Sequence, residues 1–111
     1  MKYLGKITKA EFGHCGYQNS FIGLALEFRF DKSAFVSQDI TGGWYIGNKW
    51  NEHCKWTEKG NRLQHAIMAE KISQVLLDAD CTYISQLVST PVELELEGNK
   101  LVSWRVLTEV I

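Results

Sequence analysis

The chain has 111 residues, of which 45% are hydrophobic and 23% are charged, and its formal net charge is −1. These values predict a single globular domain spanning residues 1–111 and exclude fibrous and disordered proteins. A charge so close to zero creates no basic field, so long nucleic acid is not an expected partner, whereas a short nucleotide or a protein is. No signal peptide and no apolar run of membrane-spanning length is recognisable, so no membrane partner is expected.

Cysteine and histidine usage predicts neither disulfides nor a metal site. Three widely spaced cysteines are typical of a reducing compartment, and we expect a cytoplasmic protein. The dipeptides His14-Cys15 and His53-Cys54 supply zinc-type ligands. Adjacent residues of an extended segment point to opposite sides, however, and the usual gap of two to four residues between ligands is missing. We therefore predict no metal and no cofactor.

No catalytic motif is recognisable. The glycines near residues 13–16 and 42–47 lack the strand-turn-helix setting of a phosphate-binding loop. Glu93, Glu95 and Glu97 alternate along one strand, and such a row is typical of a solvated strand face rather than of an acid–base pair. The sequence therefore predicts a protein that is not an enzyme.

The N-terminal half predicts strands. Residues 2–12 form an expected first strand with poor alternation, and residues 13–20 an expected glycine-containing loop. Residues 22–30 alternate strictly between apolar and smaller or charged side chains, which predicts a strand with one core face. Residues 31–34 fit a hairpin turn, and residues 38–43 continue as either strand or loop.

Residues 42–62 are harder to interpret. Gly42 and Gly43 predict a flexible segment. Residues 44–56 are either irregular or contain a short strand and turn, and we favour irregular structure that covers one end of the sheet. Thr57 is a good helix N-cap, but Gly60 weakens the first turn, so the helix begins after either Thr57 or Asn61.

One long amphipathic helix follows. Its expected buried stripe has helical spacing: Met68, Ile72, Val75, Leu76 and Ala79. Ile67 and Leu77 lie off the stripe, and a dimer partner is one way to cover them. Thr82 is expected to cap a short second helix over residues 83–88, which Pro91 terminates.

A C-terminal hairpin closes the chain. Gly98-Asn99 marks the turn. A two-residue loop would place Arg105 opposite Val92, on the leucine face, whereas a three-residue loop pairs Leu94 with Val102 and leaves Arg105 near Glu93. We predict the three-residue loop. The expected fold is α+β, with an antiparallel sheet, one main amphipathic helix, a short second helix and a C-terminal β-hairpin.

The strongest functional signal lies in residues 41–62, where three of the four tryptophans alternate with cations. Stacked aromatic rings beside cations suit a planar, phosphorylated ligand, although large aromatics also serve packing. Glycine-loop residues could fix a ligand's orientation or be ordinary turn residues, and Arg105 also suits a pair with Glu93. The predicted ligand-binding residues are Tyr17, Gln18, Trp44, Trp50, Lys55, Trp56, Arg62 and Arg105.

Several segments resemble small phage-encoded proteins, most of them of unknown function. The matching segments span nearly the whole chain: Phe12-Gly13, Gly16-Tyr17-Gln18, Gly23-Leu24, Trp50, Cys54-Lys55-Trp56-Thr57-Glu58, Arg62, Pro91-Val92-Glu93, Gly98-Asn99 and, most specific, residues 103–110. Gly60 departs from the pattern, since the relatives are expected to carry a charged residue there. In size and in its strand-rich N-terminal half, the chain also resembles the Thoeris anti-defence sponges.

This resemblance implies a function. The sponges bind cyclic ADP-ribose-type signals tightly, without cleaving them, in oligomeric assemblies; no ligand-binding residue transfers from them by alignment. The resemblance implies a phage-encoded antagonist of host defence that sequesters a small nucleotide. It further implies that the protein acts as a homo-oligomer in the cytoplasm of an infected bacterial host. The alternatives are a protein inhibitor of a host defence enzyme or polymerase, and a phage accessory protein without a ligand.

Overall fold

A computed structural model describes residues 1–111, and it contains one five-stranded antiparallel sheet and one long helix. The strands are β1 (Lys2–Cys15), β2 (Phe21–Phe30), β3 (Ala34–Trp44), β4 (Pro91–Glu97) and β5 (Lys100–Val106). The helix α1 spans Glu58–Asp78, and short 3-10 segments occur at Tyr17–Asn19, Ile84–Leu87 and Thr108–Val110. The strand order is β3-β2-β1-β4-β5, so the predicted α+β class is confirmed. No helix is both long and apolar enough to cross a membrane.

The hydrophobic core lies between one face of the sheet and the layer formed by α1 and the 3-10 segment Ile84–Leu87. Met68, Ile72 and Ala79 of the predicted stripe are buried, and Val75 and Leu76 pack against them, which confirms the stripe. The sheet contributes the other large buried side chains, chiefly Ile7, Leu24, Leu26, Phe28, Val92, Leu94, Leu96 and Val106. Leu87, from the 3-10 segment, is fully buried. The core is therefore centred on β2 and β4.

A β-bulge explains the poor alternation of the first strand. Ile7 pairs with Phe28 and Lys9 pairs with Glu27, so Thr8 is the extra residue and the parity of inward-facing side chains changes there. The strand also continues three residues beyond the predicted end, because residues 13–15 keep pairing with β2. The predicted loop over residues 13–20 is therefore too long at its start, and the turn begins at Gly16.

The predicted hairpin register is wrong. Glu97 pairs with Lys100 around a two-residue turn, and a bulge at Val102 then moves Trp104 opposite Leu94. The bulge places Leu101 and Trp104 on the same, core-facing side, which no regular register allows. The expected proximity of Arg105 and Glu93 is confirmed, with Nε and Oε1 3.3 Å apart.

The second helix is a single 3-10 turn rather than a helix over residues 83–88. Its N-cap is Tyr83, not Thr82, and the Gln86 carboxamide oxygen accepts hydrogen bonds from the backbone N–H groups of both residues. Pro91 does not end this turn, because it is the first residue of β4. The side chain of Gln86 therefore organises this corner.

The start of α1 is resolved in favour of Thr57. Its hydroxyl oxygen accepts a hydrogen bond from the Gly60 N–H at 3.0 Å, and its backbone is extended, as an N-cap requires. Glu58 lies in the first turn, where the helix dipole favours an acidic side chain. The N-terminus of α1 is thereby fixed beside the end of β3.

Candidate functional site

The segment between β3 and α1, residues 45–57, is called here the tryptophan loop. It contains no strand and no helix, which confirms the favoured prediction of irregular structure for residues 45–56, whereas Trp44 is the last residue of β3. Ser20 anchors it to the β1–β2 turn, because its carbonyl accepts hydrogen bonds from the Tyr45 backbone N–H at 3.1 Å and from the Asn48 carboxamide at 3.0 Å. The Tyr45 ring also packs on His14, with ring centroids 4.5 Å apart. The loop therefore covers this end of the sheet.

Two polar side chains of α1 hold Trp44, where β3 gives way to the tryptophan loop. The Asn61 carboxamide accepts from the Trp44 N–H at 2.7 Å and donates to the Trp44 carbonyl at 3.2 Å. Nε2 of His65 lies 2.8 Å from the same carbonyl, so that nitrogen carries the proton and donates. Asn61 thus continues the strand's hydrogen-bonding pattern onto the helix.

Gly42 and Gly43 allow the close packing that this arrangement needs. A Cβ on Gly42 would lie 2.3 Å from Cβ of Met68, and one on Gly43 would lie 2.4 Å from Oδ1 of Asn61. Gly43 also has a φ of +92°, which side-chain-bearing residues rarely adopt. The prediction of a flexible glycine segment is therefore wrong, because both residues are tightly packed against α1.

The tryptophans form one aromatic cluster with distinct surroundings. Trp44 stacks on Phe21 with centroids 4.6 Å apart and contacts Trp56 at 5.8 Å, so other rings already cover much of it. The Trp50 indole N–H donates to the Trp56 carbonyl at 2.8 Å, and the Trp50 side chain is 45% exposed. Trp44 is therefore packed between two rings, Trp56 is half-buried, and Trp50 offers the most exposed ring surface of the three.

Two open grooves of about 530 Å³ each lie on either side of Trp56, beside the N-terminus of α1. The first groove is lined by Trp44, Lys55, Trp56 and Gln64, among others. The lining of the second groove includes Lys49, Trp50, Trp56, Arg62 and His65. Since Trp56 lines both grooves, a single indole ring connects them.

The cations at these grooves have no carboxylate partner. Lys49, Lys55 and Arg62 form no salt bridge. Glu58 is the one acidic residue that lines either groove. An excess of positive charge therefore faces the grooves, and the N-terminal end of the helix dipole has the same sign.

The structure separates Arg105 from this cluster. Arg105 lies on β5, where its guanidinium hydrogen-bonds Glu109 at 3.0 and 3.1 Å and Glu93 at 3.3 Å. Both carboxylates raise the pKa of Arg105, and the Glu109 carboxylate makes the larger contribution. Arg105 is thus engaged in the structure of the hairpin.

Tyr17 and Gln18 lie near the tryptophan loop but line neither groove. They belong to the 3-10 turn that precedes Ser20, and Gln18 has a φ of +54°. Tyr17 is 77% exposed. The structure therefore does not bring Tyr17 and Gln18 into the groove linings with Trp56.

Sequence reasoning missed the polar lining of the grooves. The sequence indicates Asn61 only as a helix cap and predicts no role for Gln64 or His65. Asn61, Gln64 and His65 follow the i, i+3, i+4 spacing of one helix face, immediately after the tryptophan-rich segment. That pattern is the signal that could have identified them.

The cysteines and histidines do not form a metal-binding cluster. No group of three or more His, Cys, Asp or Glu residues lies close enough together to hold a metal ion. Burial raises the pKa of the Cys15 thiol, and the nearby Asp39 carboxylate raises it further, so the reactive thiolate is disfavoured.

Comparisons with known proteins leave the fold without an assigned relative. No protein-family model matches the chain, and no curated protein or solved structure matches it. The resemblance to phage-encoded proteins and to the Thoeris sponges therefore stays a prediction.

Proposed function

We propose that this protein binds a small phosphorylated nucleotide at the grooves around Trp56 and sequesters it without cleavage. The observation that carries the proposal is the convergence of the exposed Trp50, the half-buried Trp56 and three cations without a salt bridge at the start of α1. A base stacked on an aromatic side chain contributes about 1 to 3 kcal/mol, and a neighbouring cation neutralises phosphate.

The arrangement suggests a division of roles. Trp56, flanked by both grooves, would stack the base, and Trp50 would cover a second planar group. Lys55 in the first groove, and Lys49 and Arg62 in the second, would hold phosphate oxygens. Gln64, whose carboxamide has no hydrogen-bond partner in the protein, would read the edge of the base.

The resemblance to phage proteins supplies the biological setting of the proposal. A cyclic ADP-ribose-type molecule combines a base with phosphates, which are the groups that the grooves suit. Sequestration requires binding alone, and neither groove contains a nucleophile activated by a general base. The proposed role is a phage-encoded antagonist of nucleotide-signalling defence, acting as a homo-oligomer in the cytoplasm of the infected bacterial host.

Native mass spectrometry tests this proposal. The protein is purified from bacteria that carry an active nucleotide-signalling defence and is also titrated with cyclic ADP-ribose while tryptophan fluorescence is followed. We expect a non-covalent adduct of nucleotide mass and a fluorescence change. Trp56→Ala should weaken binding about tenfold or more, as expected for the loss of a stacked base.

Arg62→Ala and Arg105→Ala form a matched pair, because both arginines were predicted to bind phosphate. We expect Arg62→Ala to weaken binding about tenfold and Arg105→Ala to leave it unchanged, since the Arg105 guanidinium is held by Glu93 and Glu109. Nucleotide sequestration would be excluded if the protein purified from several such hosts carried no adduct and its tryptophan fluorescence did not change with cyclic ADP-ribose.

A second candidate function is inhibition of a host protein. Large apolar side chains project into solvent around the grooves: Ile46 is 96% exposed, and Tyr17 and Trp50 are also exposed. Exposed aromatic residues of this kind are frequent hot spots of protein interfaces. Co-purification of a host enzyme, lost in an Ile46→Asp variant, would favour this function. A chain that binds neither nucleotide nor protein would be an accessory protein.

A further inference from the structure

One strand of the sheet has a long free edge. The 14-residue strand β1 pairs with β2 from Gly5 to Cys15, but β4 covers its other side only from Lys2 to Lys6. Ile7 is covered by Ser89 and Thr90. From residue 9 to residue 15, no other strand pairs with that side of β1. Half of the strand therefore has no strand partner on that side.

The register identifies the unpaired groups on this edge. Ile7 donates to the Thr90 carbonyl and accepts from the Ser89 N–H, so its backbone groups point away from β2. Ile7 faces one residue of β2, and beyond the Thr8 bulge every second β2 residue counted from that partner faces one of three residues of β1. In an antiparallel ladder this alternation directs the N–H and C=O groups of those three residues outwards. They are Ala10, Phe12 and His14.

We propose that a second copy of this chain pairs, antiparallel, with the β1 edge and makes one continuous ten-stranded sheet. The two-fold axis passes beside Phe12, which is the middle of the free edge. Phe12 then faces Phe12 of the second copy, and Ala10 faces His14 of the second copy. Every outward backbone group of the edge gains a partner in this register.

Side chains along the edge fit this register. Phe12 is 52% exposed, although it lies on the core-facing side of the sheet, and its copy across the axis would cover it. Glu11 would face Gly13, so no two like charges lie directly opposite each other. The outer face of the sheet would remain open to solvent.

Charge complementarity also favours a second copy over an unrelated peptide. Lys9, whose Nζ lies 3.7 Å from the exposed Glu11 carboxylate of its own chain, would face Cys15 of the second copy, next to Asp39. The Asp39 carboxylate accepts one hydrogen bond, from the Gly16 N–H at 2.9 Å, and forms no salt bridge. In the dimer, Lys9 of one copy would therefore lie beside Asp39 of the other copy. The two-fold axis makes this contact occur twice, once on each side.

The other edges of the sheet suit pairing less well. The β5 edge is interrupted by the Val102 bulge and carries Lys100 and Arg105, which are features that discourage strand addition. The helix α1 packs against β3 at Gly42 and Gly43. The proposed dimer does not depend on nucleotide binding.

Light scattering during size-exclusion chromatography tests the dimer across low to high micromolar concentrations. We expect a dimer that Phe12→Asp converts to a monomer, because the substitution places two carboxylates opposite each other. Phe35→Asp is the matched control: Phe35 is 56% exposed and lies on edge strand β3, so this variant should stay dimeric.

Disulfide trapping gives a second readout if Phe12→Asp fails to fold. Opposed residues in a hydrogen-bonded pair have Cα atoms about 5.5 Å apart, which suits a disulfide. Phe12→Cys should form a covalent dimer with oxidised glutathione, whereas Phe35→Cys and the unaltered chain should not. A monomer at every concentration without cross-linking would overturn the proposal, as would a dimer that resists Phe12→Asp and is dissociated by Leu77→Asp.

Discussion

The hairpin end and the loop end of the molecule use the same residue types for different purposes. In the hairpin, Trp104 packs on Phe28 with centroids 4.8 Å apart, and Arg105 bonds two carboxylates. At the loop end, Trp56 lies between two grooves, and Arg62 forms no ion pair. An aromatic or cationic side chain therefore suggests binding only where the fold leaves it without a partner.

The two ends also differ in how they are held together. The hairpin is stabilised by regular strand pairing and by leucines buried under it. The loop end depends on two close glycine contacts and on one carboxamide that bonds both backbone groups of Trp44. Single substitutions should therefore affect the loop end more sharply, and this difference can be measured.

The largest effect is expected from Gly42→Ala. The new methyl group would lie 2.3 Å from Cβ and 2.7 Å from Cγ of Met68, so α1 must move away from β3. We expect a loss of about 3 kcal/mol in the free energy of unfolding, at the upper end of usual overpacking costs, measured by urea denaturation. Gly13→Ala is the control, because a Cβ there has no neighbour within 4 Å. Equal stability of both variants would contradict the close packing described here.

A smaller effect is expected from Asn61→Ala, which removes both carboxamide hydrogen bonds to Trp44. The loss should be about 2 kcal/mol, because the part-buried Trp44 N–H loses its carboxamide acceptor, while the carbonyl keeps the hydrogen bond from His65. Asn61→Asp keeps the acceptor for the N–H and should lose less. Gln64→Ala, one turn along the same helix, is the control. If Asn61→Ala unfolds in urea like Gln64→Ala, the carboxamide does not anchor the loop.

Much of the fold follows from local pattern, and the rest depends on contacts between distant residues. The alternation in residues 22–30 predicts β2, and Thr57 is one of the two starts that the sequence predicts for α1, because both signals are local. The bulges at Thr8 and Val102 are decided by which side chains the assembled core accepts. For that reason, the number of residues in the turn does not by itself determine the hairpin register.

The same distinction applies to the candidate site. Trp50, Lys55, Trp56 and Arg62 are close in the sequence, and the structure keeps them together. Arg105 is distant, and its location depends on the order of strands in the sheet and on Glu109, which follows β5 in a 3-10 segment. The anchoring role of Asn61 also depends on tertiary structure, because Trp44 lies 17 residues earlier.

The smallest effect should be a pH dependence at the hairpin end. The Arg105 guanidinium lowers the pKa of Glu109 from its ordinary value of 4.5, with a further contribution from a backbone hydrogen bond. A lowered carboxyl pKa stabilises the folded state above the unfolded pKa, and this stabilisation is lost as the pH falls through the folded pKa. Glu109→Gln should therefore be slightly less stable than the unaltered chain at neutral pH, with the difference vanishing in acid.

Urea denaturation between neutral and strongly acidic pH measures this difference, and NMR titration of the Glu109 carboxyl group measures its pKa directly. Arg105→Ala should return the Glu109 pKa towards 4.5, whereas Arg62→Ala should not change it, because Arg62 lies at the other end of the molecule beside Trp56. A Glu109 carboxyl group that titrates at or above 4.5 in the unaltered chain would mean that Arg105 is not held there. Arg105 would then be as available to a phosphate as Arg62 is, and the contrast between the two ends would disappear.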